Sequence, residues 1–503
     1  MKKLVLGALM ALSLPLQAQT LVDAVENKDF AAAMTLLKSG TDVNQPSADG
    51  TTALHWAAYY GNLDLAKALL RSEAKPNTHN NYGSSPLMEA ATVGNYDMMK
   101  LLLDAGADVE SANPEGQTAL MAVARTGNIK AAELLLKHGA KVDSAEKWGG
   151  QTALMWAAAR NQGDMVKFLL KNKADANKRA IDRNWERRTT SEPRVKEMMT
   201  GGLTPLLYAA RENCITCIKL LLDAGADVNK PDPDNVSPLI LALLNLHFDA
   251  AKLLVERGAD VNQWDYWGRT PLYAAADMNI LPASARGDLP AVDATTGLDI
   301  ARMLLDRGAD PNYALKLSPP PRQIFNDRAG DNPVMTTGST PLQRAAYGGD
   351  VDMMKLLLER HADMSIGTIT GVTPMNALTN KGGSRNRNKN ETTVIQGLEL
   401  LVKAGADINQ KNATGETPLH TSARQNWTEV VKFIVAHGGD LNAKDNRGLI
   451  PLDYAIGKAD SQSFGNFNVV GELPEMAALL KGMMGLPTTP TAPAGAPAKA
   501  KQQ

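Results

Sequence analysis

Gly50-Thr51-Thr52-Ala53-Leu54-His55-Trp56-Ala57, near the amino end, and Leu221-Leu222-Asp223-Ala224-Gly225-Ala226-Asp227-Val228-Asn229, near the middle, are the two phrases from which most of this chain is assembled. The first has the form G-x-T-P-L-x-x-A and occurs eleven times between Gly50 and Leu452, most often 33 residues apart. It starts at Gly50, Gly83, Gly116, Gly150, Gly202, Asn235, Gly268, Gly338, Gly371, Gly415 and Gly448. The second, L-L-x-x-G-A-D-V-N, closes most repeats, as it does again from Leu401 to Asn409. A unit of this length cannot bury its apolar face alone, so the period implies a stack of like units.

Within a unit, Thr52 is placed to cap the first amides of a helix, and Pro at the next position of most repeats suits its first turn. Leu54, Ala57 and Ala58 then share one face, and after the Gly61-Asn62 break Leu65, Ala66, Leu69 and Leu70 mark a second amphipathic helix. The Gly of G-A-D-V-N suits the left-handed residue that ends that helix, and a D-x-x-G turn leads back to the next T-P. The small Ala pairs let helices approach closely and agree with a chain that is 44% apolar but only 5% aromatic.

The period and both phrases resemble the ankyrin repeat, over roughly residues 20 to 482. The resemblance implies an all-α ankyrin-repeat solenoid of about 12 helix-turn-helix repeats with protruding β-turn or hairpin loops. Glu73, Lys173 and His361 stand where other repeats carry the helix-ending Gly, and a left-handed backbone there costs about 1 kcal/mol each. The His that follows Leu in the family survives only at His55 and His420; Met88, Met121, Met155, Leu207, Ile240, Tyr273, Gln343, Asn376 and Asp453 replace it. The Thr-to-His hydrogen bond implied by the family is therefore expected to be mostly absent.

Residues 1–18 read as a cleavable signal peptide: Met1-Lys2-Lys3, an apolar run from Leu4 to Leu14, and Leu16-Gln17-Ala18 before Gln19. The expected location is the periplasm or the exterior of a bacterial cell. No later segment approaches the apolar length of a membrane span. With 53 basic and 54 acidic residues the chain lacks the basic excess that nucleic-acid binding asks for. The two cysteines, Cys214 and Cys217, are one helical turn apart, which leaves open a structural disulfide, a reduced packing pair or a redox-active pair.

The organisation that follows is a capping repeat at 19–49, repeats at 50–177, an inserted loop at 178–201 and repeats again at 202–456. Insertions fall at 281–297, 313–337 and 381–392. Residues 457–482 hold a further insertion and a closing helix, and 483–503 form a Pro- and Ala-rich tail expected to be disordered. The inserted loop at 178–201 has seven basic and four acidic residues. Caps at both ends favour a monomer.

No zinc spacing, phosphate loop, dinucleotide fingerprint or nucleophile elbow occurs, and the Asp of G-A-D recurs with the structural period. The chain thus reads as non-catalytic and without a cofactor or metal. In arrays that it resembles, partners meet the protruding turns and the exposed end of the first helix, on the concave side. The matching positions here are Tyr59, Tyr60, Tyr82, Arg125, Trp148, Arg160, Arg211, Tyr266, Trp267, Arg269, Tyr347 and Arg424, rich in the residue types that dominate binding energy. Trp264-Asp265-Tyr266-Trp267 is expected to expose three aromatics on one tip. Trp56, Trp156, Tyr208 and Arg344 share a register that suits packing along the first helix. The reading that results is an exported scaffold for a protein partner, itself exported. A small-ligand receptor or enzyme built from the inserted loops, and a secreted effector, are the competing readings.

Overall fold

The computed structural model describes residues 19–182, 201–279, 293–319, 334, 336–380, 389–459 and 472–487. The expected signal peptide, most of the 178–201 loop, much of the other insertions and nearly all of the tail lie outside the described residues. The described residues form helices joined by turns and loops, with no strand; isolated antiparallel bridges include Ala112 to Thr118 and Ala145 to Thr152. They belong to two compact units. One runs to Asp182 and adds Leu203–Glu212 and Lys219–Ala226; the other holds residues 201–202, Asn213–Ile218 and the described residues from Asp227 on.

In the amino-terminal unit each repeat is a helix pair. The first helices Ala53–Tyr60, Pro86–Thr92, Ala119–Thr126, Ala153–Ala159 and Pro205–Arg211 pack in sequence against one another. The second helices Leu63–Arg71, Tyr96–Asp104, Ile129–Lys137 and Gly163–Lys171 form a parallel row. The Ala pairs account for this spacing, since Ala57, Ala58, Ala90, Ala91, Ala157 and Ala158 are fully buried between neighbours. Thr118, Thr152 and Thr204 cap as expected, their Oγ1 atoms accepting the amides of Met121, Met155 and Leu207 at 3.3–3.4 Å.

The carboxy-terminal unit repeats the plan with first helices Pro238–Leu244, Pro271–Asn279, Pro341–Gly348, Pro374–Thr379, Pro418–Arg424 and Pro451–Ala455. Its second helices include Phe248–Glu256, Gly297–Asp306, Val351–Glu359, Glu391–Lys403 and Thr428–Ala436, and Pro474–Met483 closes it. The helix Glu391–Lys403 starts inside the stretch read as an insertion, because Asn390 caps it by accepting the Thr393 amide at 3.0 Å. Asp293 ends the 281–297 insertion by accepting the Phe248 amide at 2.6 Å, supplying the cap that His247 does not.

Two features of the repeated phrases have local causes. The Asn of G-A-D-V-N ties one repeat to the next: Asn77 accepts the Asp108 amide at 2.7 Å and donates to the Gly106 carbonyl at 3.0 Å. The first residue of D-x-x-G gathers the amides of its own turn, as Asp265 does from Trp267 (3.0 Å) and Arg269 (2.8 Å) and Asp445 from Arg447 and Leu449 (both 2.8 Å). Glu73, Lys173 and His361 do hold the left-handed backbone, with φ of 68°, 72° and 64°. Cys214 and Cys217 are joined by a disulfide with their Cα atoms 5.2 Å apart, at the start of the helix Ile215–Asp223.

Candidate protein-binding face

In each unit backbone hydrogen bonds join turn tips to their neighbours. In the amino-terminal unit Asn81 donates to Asp49 (2.7 Å), Lys147 to Glu115 (2.6 Å) and Ile181 to Gly149 (2.7 Å). In the carboxy-terminal unit Tyr266 donates to Asp234 (2.8 Å), Lys316 to Trp267 (2.9 Å), Ile369 to Thr337 (2.9 Å) and Asn446 to Thr414 (3.0 Å). The polar main chain of a tip is thereby engaged, and its side chains project outward. Tyr82 and Trp148 are 71% and 69% exposed, and Ile181, Tyr266, Leu317 and Ile369 are exposed at other tips. Large apolar side chains left in solvent at repeated positions mark an interaction surface.

Between the tips and the first helices of the amino-terminal unit lies a groove of about 590 Å³. Tyr82, Pro114 and Glu115 form its tip side, Met88 and Glu89 come from the helix Pro86–Thr92, Met121 and Arg125 from Ala119–Thr126, and Trp156 from Ala153–Ala159. The Arg125 guanidinium lies 5.7 Å from the centroid of the Trp156 ring. The indole N–H groups of Trp56 and Trp156 are buried and lack an acceptor among the described residues. At the start of the unit, Trp56 stacks on Tyr60 at 5.5 Å, with Tyr59 edge-on to both, and Tyr60 donates its hydroxyl to the Glu26 carbonyl at 2.9 Å.

The twelve positions expected to meet a partner divide by exposure. Tyr59, Tyr82, Arg125, Trp148, Arg160 and Tyr266 are displayed to solvent, and Tyr60 is half-buried. Arg211 is half-buried over the Tyr208 ring at 5.0 Å and pairs with Glu212 at 2.8 Å. Arg424 is held by Glu416 at 3.0 Å. Burial works against the Glu416 charge, but Arg424 and hydrogen bonds from Tyr454 and Asn412 keep its carboxyl below the ordinary value.

Three positions are corrected. Trp267, Arg269 and Tyr347 are only 6%, 6% and 4% exposed. Arg269 pairs with the fully buried Asp265 at 2.6 Å and lies 4.9 Å from the centre of the Trp267 ring. The tip at 264–267 therefore shows two aromatics, Trp264 and Tyr266, rather than three. Inserted segments are the cause: Leu315 and Val334 are buried, Tyr273 donates to the Val334 carbonyl at 3.2 Å, and the Lys316 and Leu317 amides bond to the Trp267 carbonyl. Lys389, from the 381–392 stretch, donates to the carbonyls of Tyr347 (2.9 Å), Ala377 (3.1 Å) and Asn380 (2.6 Å). Burial pushes the Lys389 amine well below its ordinary pKa. Arg344 and Tyr208, read as packing residues, are buried, and Arg344 pairs with the buried Asp277.

Met88, Glu89, Glu115 and Met121 line the groove without having been placed among the expected partner contacts. The available signal was register: Met88 and Met121 occupy the family's His position, and Glu89 stands where Trp56 stands. Among the described residues no group of three or more His, Cys, Asp or Glu is disposed to hold a metal ion, and no helix is long and apolar enough to cross a membrane.

Comparison with known proteins agrees with this architecture. Family models for ankyrin repeats match residues 21–113, 105–180 and 206–314, residues 337–369, and residues 401–455. Protein phosphatase 1 regulatory subunit 27 of Mus musculus is 36% identical over 59 residues, covering 12% of this chain and 38% of that one. SH3 and multiple ankyrin repeat domains protein 2 of Homo sapiens is 35% identical over 206 residues, covering 38% of this chain and 10% of the other. The crystal structure of the human ASB11 ankyrin repeat domain aligns at 25% identity over 48% of this chain and 98% of its own, with a TM-score of 0.39. The chain spans 8%, 38% and 10% of the length of three such curated relatives. With repeat phrases, helix pairs and family models in agreement along the chain, it belongs to the ankyrin-repeat family.

Proposed function

We propose that this chain is an exported, non-catalytic ankyrin-repeat scaffold that holds a protein partner against its turn tips and first helices. The observation that carries this reading is the display of Tyr82 and Trp148 at the tips beside the groove of the amino-terminal unit. Aromatic side chains supply large contact area at small entropic cost, and a groove beside them gives a partner a place to bury its own side chains. Among the described residues several carboxylates and an amine with multiple hydrogen bonds serve the scaffold: Glu146, Asp265 and Asp445 gather turn amides, and Lys389 gathers helix-end carbonyls. That usage favours a binding role over a reaction.

Pull-down from cell-envelope extract with wild type and with Tyr82→Ala/Trp148→Ala tests the binding face. Loss of a specific co-purifying polypeptide is the expected result; an unchanged partner profile sinks the proposed face. Export rests on residues 1–18, whose charged start, apolar run and small terminal residue suit secretion. Amino-terminal sequencing of protein from the envelope fraction should read from Gln19, and cytoplasmic protein that retains Met1 would remove export from the proposal.

A further inference from the structure

The geometry points to one kind of occupant for the groove of the amino-terminal unit: an extended segment of a partner protein that places a lysine or arginine side chain between Glu89 and Glu115, with an apolar side chain on Met88 and Met121. This rests on the protein-binding reading above and adds the chemistry of the partner. The volume, about 590 Å³, has room for a few side chains rather than a folded element. The Met side chains offer a soft, adaptable apolar floor, since both are largely buried yet contribute to the lining.

Charge selects among the segments that such a floor would accept. Glu89 is half-buried on the first turn of its helix and Glu115 is exposed at the neighbouring tip, and among the described residues neither carboxylate pairs with a cation. The lining's one guanidinium, Arg125, is already stacked over Trp156. A docking segment removes water from both carboxylates, and only an incoming cation offsets that loss with a charge-assisted hydrogen bond. An acidic segment would set like charges together, and an uncharged one would leave Glu89 desolvated.

Panning the full chain against a phage-displayed library of random peptides, followed by anisotropy titration of the selected sequences, tests the assignment. Selected peptides should carry Lys or Arg next to Leu, Ile, Met or Phe. Glu89→Gln/Glu115→Gln should weaken their binding about ten-fold and flatten its salt dependence. Glu133→Gln, on a second helix, should leave the affinity unchanged, and matching thermal melts would show that all variants are folded. Acidic or uncharged selected peptides overturn the partner chemistry while peptide binding stands, as do basic peptides indifferent to the double variant. A library that yields no binder also overturns this inference, and the pull-down with Tyr82→Ala/Trp148→Ala then decides separately whether a folded partner uses the face.

Discussion

A buried imidazole bridges neighbouring repeats at His55 and again at His420. The Thr52 amide can only donate, so His55 Nδ1 is the acceptor at 3.1 Å and the Nε2 hydrogen must point to the Ser84 carbonyl at 2.9 Å. His420 does the same with the Thr417 amide and the Leu449 carbonyl, at 3.1 Å each. Burial lowers the pKa of both rings, hydrogen bonding to the backbone carbonyl opposing it. The unfolded chain takes up these protons near pH 6.5 and the folded chain only at lower pH, so their contribution is complete above about pH 6.5 and declines as the pH falls below it. Urea midpoints measured from pH 7.5 down to pH 5 should therefore fall less steeply for His55→Gln/His420→Gln than for wild type. Glutamine is a fair replacement because the chain already uses it: Gln343 accepts the Thr340 amide at 2.6 Å and donates to the Val372 carbonyl at 2.6 Å, and Asn376 joins Thr373 to the Gln410 carbonyl. The bridge expected to be mostly absent thus persists at two further repeats through amide side chains. At Glu73 the left-handed backbone, with φ of 68°, should make Glu73→Gly more stable by about 1 kcal/mol, read as a higher unfolding midpoint. Glu73→Ala should give no such gain, since its Cβ keeps the strain.

Helix ends are where single residues decide whether an element closes. Lys389 joins the ends of Pro341–Gly348 and Pro374–Thr379 by donating to the carbonyls of Tyr347, Ala377 and Asn380. Lys389→Met keeps much of the side chain's bulk but removes every donor from a buried site, and should cost about 3 kcal/mol in chemical denaturation. A cost near zero would show that those carbonyls do not depend on the amine. The same logic holds at Asn235, which replaces the tip Gly. It adopts φ of 60°, which Asn tolerates, and its side-chain amide donates to the Trp264 carbonyl. At Gly371 an added Cβ would lie 2.6 Å from the Ala413 amide nitrogen, because the next tip passes that close to the turn. The T-P phrase announced each first helix, but helix-end contacts such as that of Lys389 join residues across repeats and have no local signature.

At the scale of the molecule, exposure separates residues that look alike in sequence. Trp148 and Trp267 each lie at a turn tip just before Gly, yet one is 69% and the other 6% exposed. Trp148→Ala should leave the melting temperature nearly unchanged and weaken partner capture, whereas Trp267→Ala should destabilise the chain by about 3 kcal/mol, as large core truncations do. Equal melting shifts for the two would contradict this division. Helix pairs, capping threonines, left-handed positions and turn tips follow from interactions within a repeat and between adjacent ones, so the 33-residue phrase determined them without further information. Which tip aromatics and arginines face solvent depended on where inserted segments fold back, as Leu315, Val334 and Lys389 do. Those are contacts between residues distant in the chain, and the local period carries no record of them.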